Sequence, residues 1–481
     1  MNKLLTTSLG FLIAIFTLMA AAIELPDIGD SSATIISPEK ERQLGAGFLR
    51  RLQGYGAVLE DLETQEYLQA IGRRLVLNSD GAGQEYTFFT IAASDINAFA
   101  APGGFIGVNA GLILNANNES ELAGVLAHEI SHVTQRHMAR SFEQASQMSL
   151  PIAVAMIGSL LVGIANPNAG LAALTAVQAG SAQYQINFTR ANEQEADRVG
   201  MALLYRAEFD PTGMPDFFER LQKANRLTDP KFYPEYLRSH PVTASRIADS
   251  QNRLKLFPPR NHKDSKAFLL ARARIRVMVA KSPRQAVKIF ETALKEGSYT
   301  SKDATSYGYA LALGRDGKFK KARHQLQVLL KKEKDNLSYL LALAELESES
   351  GDYKKGLEIY AQLNKLYPSY KPVVMKFTET LLQANQIQAA KAILLDFGIQ
   401  HGADRKYYEL LAEAEGRSGS IVDSHLALAE YHYLSGDTQL ASDQLTYAER
   451  SKNLDYYYKQ RIQTRLEQFE KELEEEAALT E

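Results

Sequence analysis

Two histidines four residues apart carry the most specific chemical signal in the chain. In the stretch VLAHEISH, His128 and His132 enclose Glu129, which directly follows the first histidine. Positions i and i+4 lie on the same face of an α-helix, so both imidazoles can bind one metal ion. Glu129 can reach a water molecule on the open side of that metal and act as a base without binding the metal. The pattern therefore predicts a catalytic zinc site.

A third ligand must come from another part of the chain, because a catalytic zinc takes three protein ligands and keeps one position for water. The stretch RANEQEADRVG offers Glu193, Glu195 and Asp197. Glu193 and Asp197 share a helix face, so one can bind zinc while the other accepts the second N–H of a ligating histidine. Spacing alone leaves open which of the two is the ligand. Glu195 points away from this face and is predicted to be solvated.

Two further histidines have to be placed or excluded. His240 precedes Pro241 in RSHPVTASRIAD, and three roles stay open for it. It can stabilise the oxyanion of a tetrahedral intermediate, occupy the fourth zinc position and keep the site latent, or simply lie in a loop or cap a helix. His137 follows His132 by five residues, which on a continuous helix turns it about 140° away from the ligand face. It is therefore excluded from the predicted site.

The elements that position these residues are a small sheet and several helices. SPEKERQLGAGFLRRL opens a helix with Ser37 as its N-cap, and helical spacing continues to about Leu77. YTFFTIA (86–92) and FIGV (105–108) are typical of β-strands. After Asn118, a long helix is predicted to run from ELAGV through both zinc histidines to ARSF.

An uncharged stretch follows, from residue 144 to residue 189. Its apolar runs are shorter than the ~18–20 residues needed to cross a bilayer, and Gly and Pro interrupt them. Buried helices of the same domain are the simpler interpretation. A hairpin that touches a membrane or a partner remains the alternative.

The composition and the N-terminal residues indicate the class of protein and its cellular compartment. The 481 residues exceed what one core usually supports, and a net charge of −3 argues against a nucleic-acid-binding face. The chain contains no cysteine, which excludes thiol catalysis and suits an oxidising compartment. Residues 1–22 combine Lys3, an apolar run and three alanines, as in a cleavable secretory signal peptide. A short membrane anchor is the alternative for this segment.

A repeat appears from about Lys266 onward. Aromatic or aliphatic anchors recur every 34 residues, and a small residue follows each of the first three by three positions. This period and pattern indicate tetratricopeptide repeats, which stack as pairs of helices. The anchors are Phe319, Tyr353, Ile387 and Ile421, and the small residues are Ala322, Gly356 and Ala390.

The two metal-binding stretches resemble a known family. HEISH, followed some sixty residues later by NEQEAD, is similar to the glutamate-zincin metallopeptidases related to HtpX and the CaaX prenyl proteases. In that family the glutamate of a Glu-x-x-x-Asp motif is the third zinc ligand and the aspartate supports a ligating histidine. The resemblance implies that Glu193 binds zinc with His128 and His132, and that Asp197 plays the supporting role.

A third stretch extends the resemblance to substrate binding. NAFAAPGGFIGVNAGLI (97–113) is similar to the family's edge-strand segment, whose free backbone groups bind the substrate as an added strand. The resemblance implies that Asn97, Ala98 and Phe99 contact the substrate.

Taken over nearly the whole chain, the arrangement resembles the periplasmic proteases that assist outer-membrane β-barrel assembly in Gram-negative bacteria. It implies a mainly α-helical protein with a small β-sheet, in which a zincin-type α+β metallopeptidase domain precedes an α-helical tetratricopeptide solenoid. The predicted divisions are a signal peptide at 1–22, the peptidase at 23–262 and the repeats at 263–481. The relatives with membrane-embedded domains carry full spans between the zinc motifs, and this chain does not.

The resemblance also implies an activity. We expect a periplasmic endopeptidase with one zinc ion per chain and chaperone-like activity, which promotes β-barrel assembly and degrades misfolded or stalled outer-membrane proteins. The repeats would dock on the assembly machinery, with peripheral membrane contact left open and no nucleic-acid partner. The alternative is an assembly factor or chaperone for which proteolysis is secondary. A protease for lipid-modified peptides would be expected to carry membrane spans, which this sequence lacks. A zinc hydrolase that acts on cell-wall peptides remains a further alternative.

Overall fold

The computed structural model describes residues 37–146, 182–227, 235–451 and 454–478. The predicted signal peptide and most of the uncharged stretch 144–189 lie outside these ranges. No helix within the described ranges is both long and apolar enough to cross a membrane.

Two helices open the described chain. Helix α1 (Pro38–Gly54) begins after Ser37, whose hydroxyl accepts a hydrogen bond from a backbone amide in the first turn, as predicted for an N-cap. Helix α2 (Leu62–Val76) follows. The helical spacing predicted to continue to Leu77 is interrupted at residues 55–61, where the chain turns and bridges to the sheet.

The small sheet has three strands in the order β1-β3-β2. Strands β1 (Thr87–Ile91) and β3 (Phe105–Asn109) are parallel and match the two strands expected from the sequence. Strand β2 (Ala98–Ala101) is antiparallel to β3. Within the described residues β2 pairs on one side only, so it is an edge strand.

The helices after the sheet supply the remaining layers of the N-terminal half. They are α3 (Ala110–Asn115), α4 (Glu119–Thr134), α5 (His137–Ser146), α6 (Ala182–Arg206), α7 (Gly213–Leu227), α8 (Glu235–Ser239) and α9 (Ala244–Arg253). Helix α4 is buried along nearly its whole length and packs against α2, α6, α7 and β2. Because it is covered on all sides, its sequence is apolar around most of its circumference.

Helix α4 ends earlier than the sequence predicts. The expected helix runs on through ARSF, whereas α4 ends at Thr134 and α5 begins at His137. Between them Arg136 has a φ of 52°, in the left-handed region that rarely occurs within a helix. The prediction of one continuous helix was therefore wrong, and helical-wheel positions do not carry over from α4 to α5.

The C-terminal half is a stack of helices. Its members are α10 (Lys266–Met278), α11 (Pro283–Glu296), α12 (Lys302–Arg315), α13 (Phe319–Lys332), α14 (Leu337–Glu349), α15 (Tyr353–Leu366), α16 (Lys371–Gln383), α17 (Ile387–His401), α18 (Arg405–Ser418), α19 (Ile421–Leu434), α20 (Thr438–Glu449) and α21 (Tyr456–Ala478). The four predicted repeat anchors are the first residues of α13, α15, α17 and α19. The small residues that follow the first three anchors are buried. The predicted fold class, mainly α with a small sheet and a helical solenoid, is confirmed.

Helix α10 joins the two halves because it contributes to two cores. Phe268 and Ile275 pack into the core formed around α4, whereas Leu270 and Val277 pack into the first core of the stack. The division between residues 262 and 263 stays a prediction.

The connector before α10, residues 262–265, is fastened to the start of α4. The carboxylate of Glu119, the first residue of α4, accepts hydrogen bonds from the Ser265 hydroxyl at 2.7 Å and the Ser265 amide at 2.9 Å. His262 Nε2 lies 3.1 Å from the same carboxylate, and Asp264 accepts the amide N–H of Glu119 at 2.8 Å. The repeat stack is thus tied directly to the helix that carries HEISH.

Candidate active site

Helix α4 presents three predicted site residues at one place. His128 and Glu129 are buried, and His132 is partly exposed one turn further on. Asn118 caps the helix by accepting the amide N–H of Glu121 at 2.9 Å. The Nε2 atoms of the two histidines lie 3.0 Å apart, as the i, i+4 spacing predicts for a shared ligand site.

Helix α6 crosses α4 and brings both candidate carboxylates to the histidines. Glu193 lies 3.4 Å from His128 Nε2 and 3.3 Å from His132 Nε2. Asp197 instead lies 3.0 Å from Nδ1, on the opposite side of the His128 ring. The two carboxylates that spacing could not distinguish therefore occupy different positions, one among the Nε2 atoms and one behind them.

His240 lies at the same cluster. Its Nδ1 atom is 3.3 Å from His128 Nε2 and 3.0 Å from a Glu193 oxygen, and its Nε2 atom is 3.4 Å from Glu129. The ring of Tyr236 stacks on the imidazole with centroids 4.8 Å apart. Of the three roles left open, a purely loop or capping histidine does not account for this position.

Arg246, on α9, is a site residue to which sequence reasoning gave no role. Its guanidinium donates two hydrogen bonds of 2.7 Å to Asp197 and lies 2.7 Å from a Glu193 oxygen. The Pro241 carbonyl accepts a further bond at 2.9 Å. Arginine suits this place because its planar fork binds a carboxylate through two donors. No local pattern marks this arginine in the sequence, since its partner Asp197 is 49 residues away.

The pKa values of the two α4 histidines shift in opposite directions. Burial alone would lower the pKa of His128, but hydrogen bonds to Asp197 and Glu193 raise it to about 10. Burial dominates at His132 and lowers its pKa to about 3, despite its hydrogen bond to Glu193. Burial would raise the pKa of Glu193, yet the three neighbouring histidines hold it well below its usual value. The carboxylates thus draw positive charge into the cluster.

The residues present fit a divalent metal. His128, His132, Glu193 and His240 each offer one ligand atom, and these atoms all lie within 4.8 Å of one another. Imidazole nitrogens and carboxylate oxygens are the ligands of catalytic zinc in proteins without cysteine. We call these four residues the metal cluster.

Two neighbouring residues, His137 and Glu195, have contacts near the site that the sequence did not predict, although His137 lies outside the metal cluster as expected. His137, excluded from the site, is buried with its Nδ1 atom 2.9 Å from His132 Nδ1. Glu195, expected in solvent, is partly exposed but also lies 3.2 Å from His137 Nε2 and accepts a 2.9 Å hydrogen bond from Arg140. The exclusion assumed one continuous helix, whereas the break at Arg136 turns His137 back toward His132.

The predicted substrate-binding residues lie at the edge strand. Ala98 and Phe99 belong to β2, and Asn97 directly precedes it. The Phe99 ring is occupied by packing, with its centroid 5.7 Å from that of Phe48 and 6.0 Å from that of Phe89. Phe99 nevertheless stays partly exposed, and a peptide that adds to this strand would pair with its backbone.

Comparison with known proteins gives a consistent set of similarities. Residues 62–254 match the family model of peptidase family M48. The chain is 35% identical over 450 residues to the beta-barrel assembly-enhancing protease of Escherichia coli K12, covering 93% of this chain and 91% of that one. It is 32% identical over 453 residues to the enzyme of the same name from Yersinia pestis, covering 94% and 92%. The metalloprotease LoiP of E. coli is 25% identical over 173 residues, 36% of this chain and 64% of LoiP.

Proposed function

Since the chain belongs to peptidase family M48 and is a metallopeptidase, we propose that it is a zinc endopeptidase with one zinc ion per chain. The observation that carries this proposal is the convergence of four ligand atoms within 4.8 Å at the metal cluster. His128, His132 and Glu193 would hold the ion. A zinc ion held there would supply Lewis-acid chemistry, polarising a peptide carbonyl and making water more acidic.

The residues of this chain would then move the proton. Glu129 is buried beside the cluster without being part of it, so it can accept a proton from the attacking water. The same carboxyl group can deliver that proton to the leaving amine. Asp197 fixes the His128 ring through Nδ1, and Arg246 keeps Asp197 in place.

His240 would regulate access to the site. Its Nδ1 atom belongs to the metal cluster, which favours the fourth zinc position and hence a latent enzyme over oxyanion stabilisation. Displacement of His240 would then free the position that the water and the substrate need. Substrate would add to the edge of β2 through the backbone of Asn97, Ala98 and Phe99.

The substrates follow from the relatives. We propose that this enzyme acts in the periplasm on misfolded or stalled outer-membrane proteins and promotes assembly of the others. The similarity to named beta-barrel assembly-enhancing proteases over more than 90% of the chain supports this. The repeat stack offers a surface for docking on the assembly machinery. The second candidate, an assembly factor whose proteolysis is secondary, draws on the same stack.

The test compares wild type, Glu129→Gln and His240→Ala in zinc content and casein digestion. Glu129→Gln should keep one zinc per chain and lose about 10²–10⁴-fold in cleavage rate. Appreciable turnover by this variant would refute the assignment of the base. A gain of activity in His240→Ala supports latency, whereas a loss favours oxyanion stabilisation. Rescue of outer-membrane assembly in cells by Glu129→Gln would favour the second candidate function.

A further inference from the structure

His132 and His137 face each other through the same kind of atom. Their Nδ1 atoms lie 2.9 Å apart, and the rings meet edge to face at 79°. A hydrogen bond at this distance needs a proton on one nitrogen and a free lone pair on the other. The two tautomers are therefore coupled.

The metal cluster decides which nitrogen carries the proton. The Nε2 atom of His132 belongs to the cluster, 3.0 Å from His128 Nε2, so a bound metal leaves the His132 proton on Nδ1. Nδ1 of His137 must then be the acceptor. Its own proton consequently lies on Nε2, which is 3.2 Å from a Glu195 carboxylate oxygen. Both N–H groups, Nδ1–H of His132 and Nε2–H of His137, therefore meet an acceptor.

We propose that His137 is a positioning residue that accepts the Nδ1 proton of His132 and so fixes the tautomer and ring orientation of this ligand. Glu195 in turn fixes the tautomer of His137, and Arg140 holds Glu195 at 2.9 Å. The inference rests on the proposed zinc site. We call the hydrogen-bonded series from His132 through His137 to Glu195 the relay; it supports one zinc ligand, His132.

The two α4 ligands are then supported differently. His128 meets a carboxylate directly, because Asp197 lies 3.0 Å from its Nδ1 atom. His132 meets a neutral imidazole, and the carboxylate comes one residue later in the relay. Since a carboxylate partner raises the basicity of a ligating histidine more than a neutral acceptor does, His132 is the weaker of the two ligands.

The test measures zinc affinity by competition with a chromophoric chelator, using zinc alone as the probe. His137→Leu removes the acceptor and keeps the space filled, whereas His137→Asn keeps an oxygen near the position of Nδ1. Loss of a supporting partner typically weakens metal binding about 10–100-fold, so we expect that loss in the leucine variant and recovery to within about threefold in the asparagine variant. Glu195→Ala should give a smaller loss of zinc affinity, because His137 can still accept the His132 proton but is no longer held in one tautomer by Glu195.

A histidine of the repeat stack provides the matched control. His324→Asn, at an exposed position on α13, should bind zinc as the wild type does. The metal-free unfolding temperatures of all variants show whether each one folds. The visible spectrum of the cobalt-loaded enzyme reports the ligand geometry, which should change in His137→Leu and return in His137→Asn.

Two results would overturn the inference. The first is wild-type zinc affinity in His137→Leu, and the second is an asparagine variant as weak as the leucine variant, because then the acceptor atom has no role. If His137→Leu fails to fold, the second comparison is made between His137→Asn and the wild type, and a 10-fold or greater loss there rejects the relay by the same estimate. A wild-type protein that binds no zinc would instead reject the proposed function itself.

Discussion

The metal cluster and the contact between the two halves both bury carboxylates, but they set them against different partners. At the contact, Asp61 and Glu63 of the N-terminal half share Arg274 of α10, at 2.7 Å for Glu63. We call these three residues the interface cluster. Around the metal cluster, Arg246 contacts two carboxylates, Glu193 and Asp197, whereas Glu129 lies 3.4 Å from His240 Nε2.

The excess negative charge is resolved differently at the two places. In the interface cluster two carboxylates face one arginine, and burial raises the pKa of Glu63 to about 7 even though Arg274 opposes the shift. A proton can therefore take up the excess. Around the metal cluster the proton goes to a histidine instead, because hydrogen bonds to Asp197 and Glu193 raise the pKa of His128 to about 10. A metal ion bound at the Nε2 atom of His128 would take the place of that proton. The interface cluster thus neutralises its charge in place, whereas the metal cluster brings together four side chains that can each offer a ligand atom to one metal ion.

The largest effect should come from removing a ligand. We expect Glu193→Gln to weaken zinc binding by more than the ~100-fold that loss of a supporting partner can cost, and to abolish casein cleavage. The metal-free protein should unfold at nearly the wild-type temperature, because Arg246 keeps its two hydrogen bonds to Asp197. Metal content, casein digestion and thermal unfolding check this, with exposed Glu358→Gln as control. Wild-type zinc content in Glu193→Gln would contradict the assignment of Glu193 as a zinc ligand.

The opposite pattern is expected at the interface cluster. Arg274→Met leaves Asp61 and Glu63 buried without a cation, which should lower the free energy of unfolding by about 3–5 kcal/mol. Zinc affinity of the folded protein should stay within about twofold of the wild type, since ligands and their partners are untouched. Arg276→Met, an exposed position two residues later on the same helix, is the matched control. Urea unfolding measures the stability, and equal loss in both variants would argue against the ion pairing.

A smaller effect should appear in the pH dependence of stability. Because the folded-state pKa of Glu63 is raised from 4.5 to about 7, its protonated form is favoured by folding. The stability it contributes is full below about pH 4.5 and is lost as the pH rises through about 7. Glu63→Gln should remove this slope between pH 4.5 and 7, seen as the difference between two urea-unfolding series. A difference between the two series that does not change from pH 4.5 to 7 would contradict this prediction.

Asp61 should act in the opposite direction and in another pH window. Burial opposes its ionisation, but Arg274 lowers its pKa from 3.8 to about 2. Its contribution is therefore present above about pH 3.8 and is lost as the pH falls through about 2. The two carboxylates of one arginine can thus be separated by the pH range in which each affects the free energy of unfolding.

The sequence predicted those parts of the fold and site that depend on local spacing. The i, i+4 histidines, the Ser37 cap and the 34-residue anchors each follow from a periodicity or a cap within a few residues. Their positions in the helices agree with the prediction because helix geometry fixes which positions share a face.

Residues that depend on a chain reversal or on distant packing were not predicted. His137 was excluded by a helical wheel that the left-handed Arg136 breaks. Arg274 and Asp61 are 213 residues apart, and no spacing rule connects them. Spacing could not choose between Glu193 and Asp197, because it places both on the same helix face; the family resemblance made that choice, and the crossing of α4 and α6 supplies its geometry.

The hydrogen bonds between Glu119 and the connector affect the distance between the repeat stack and the metal cluster. These bonds tie the repeat stack to the first turn of α4, the helix that carries HEISH, and so fix the distance between the stack and the metal cluster. Under the proposed function, a polypeptide docked on the repeat stack would reach the metal cluster only through a segment long enough to cover that distance.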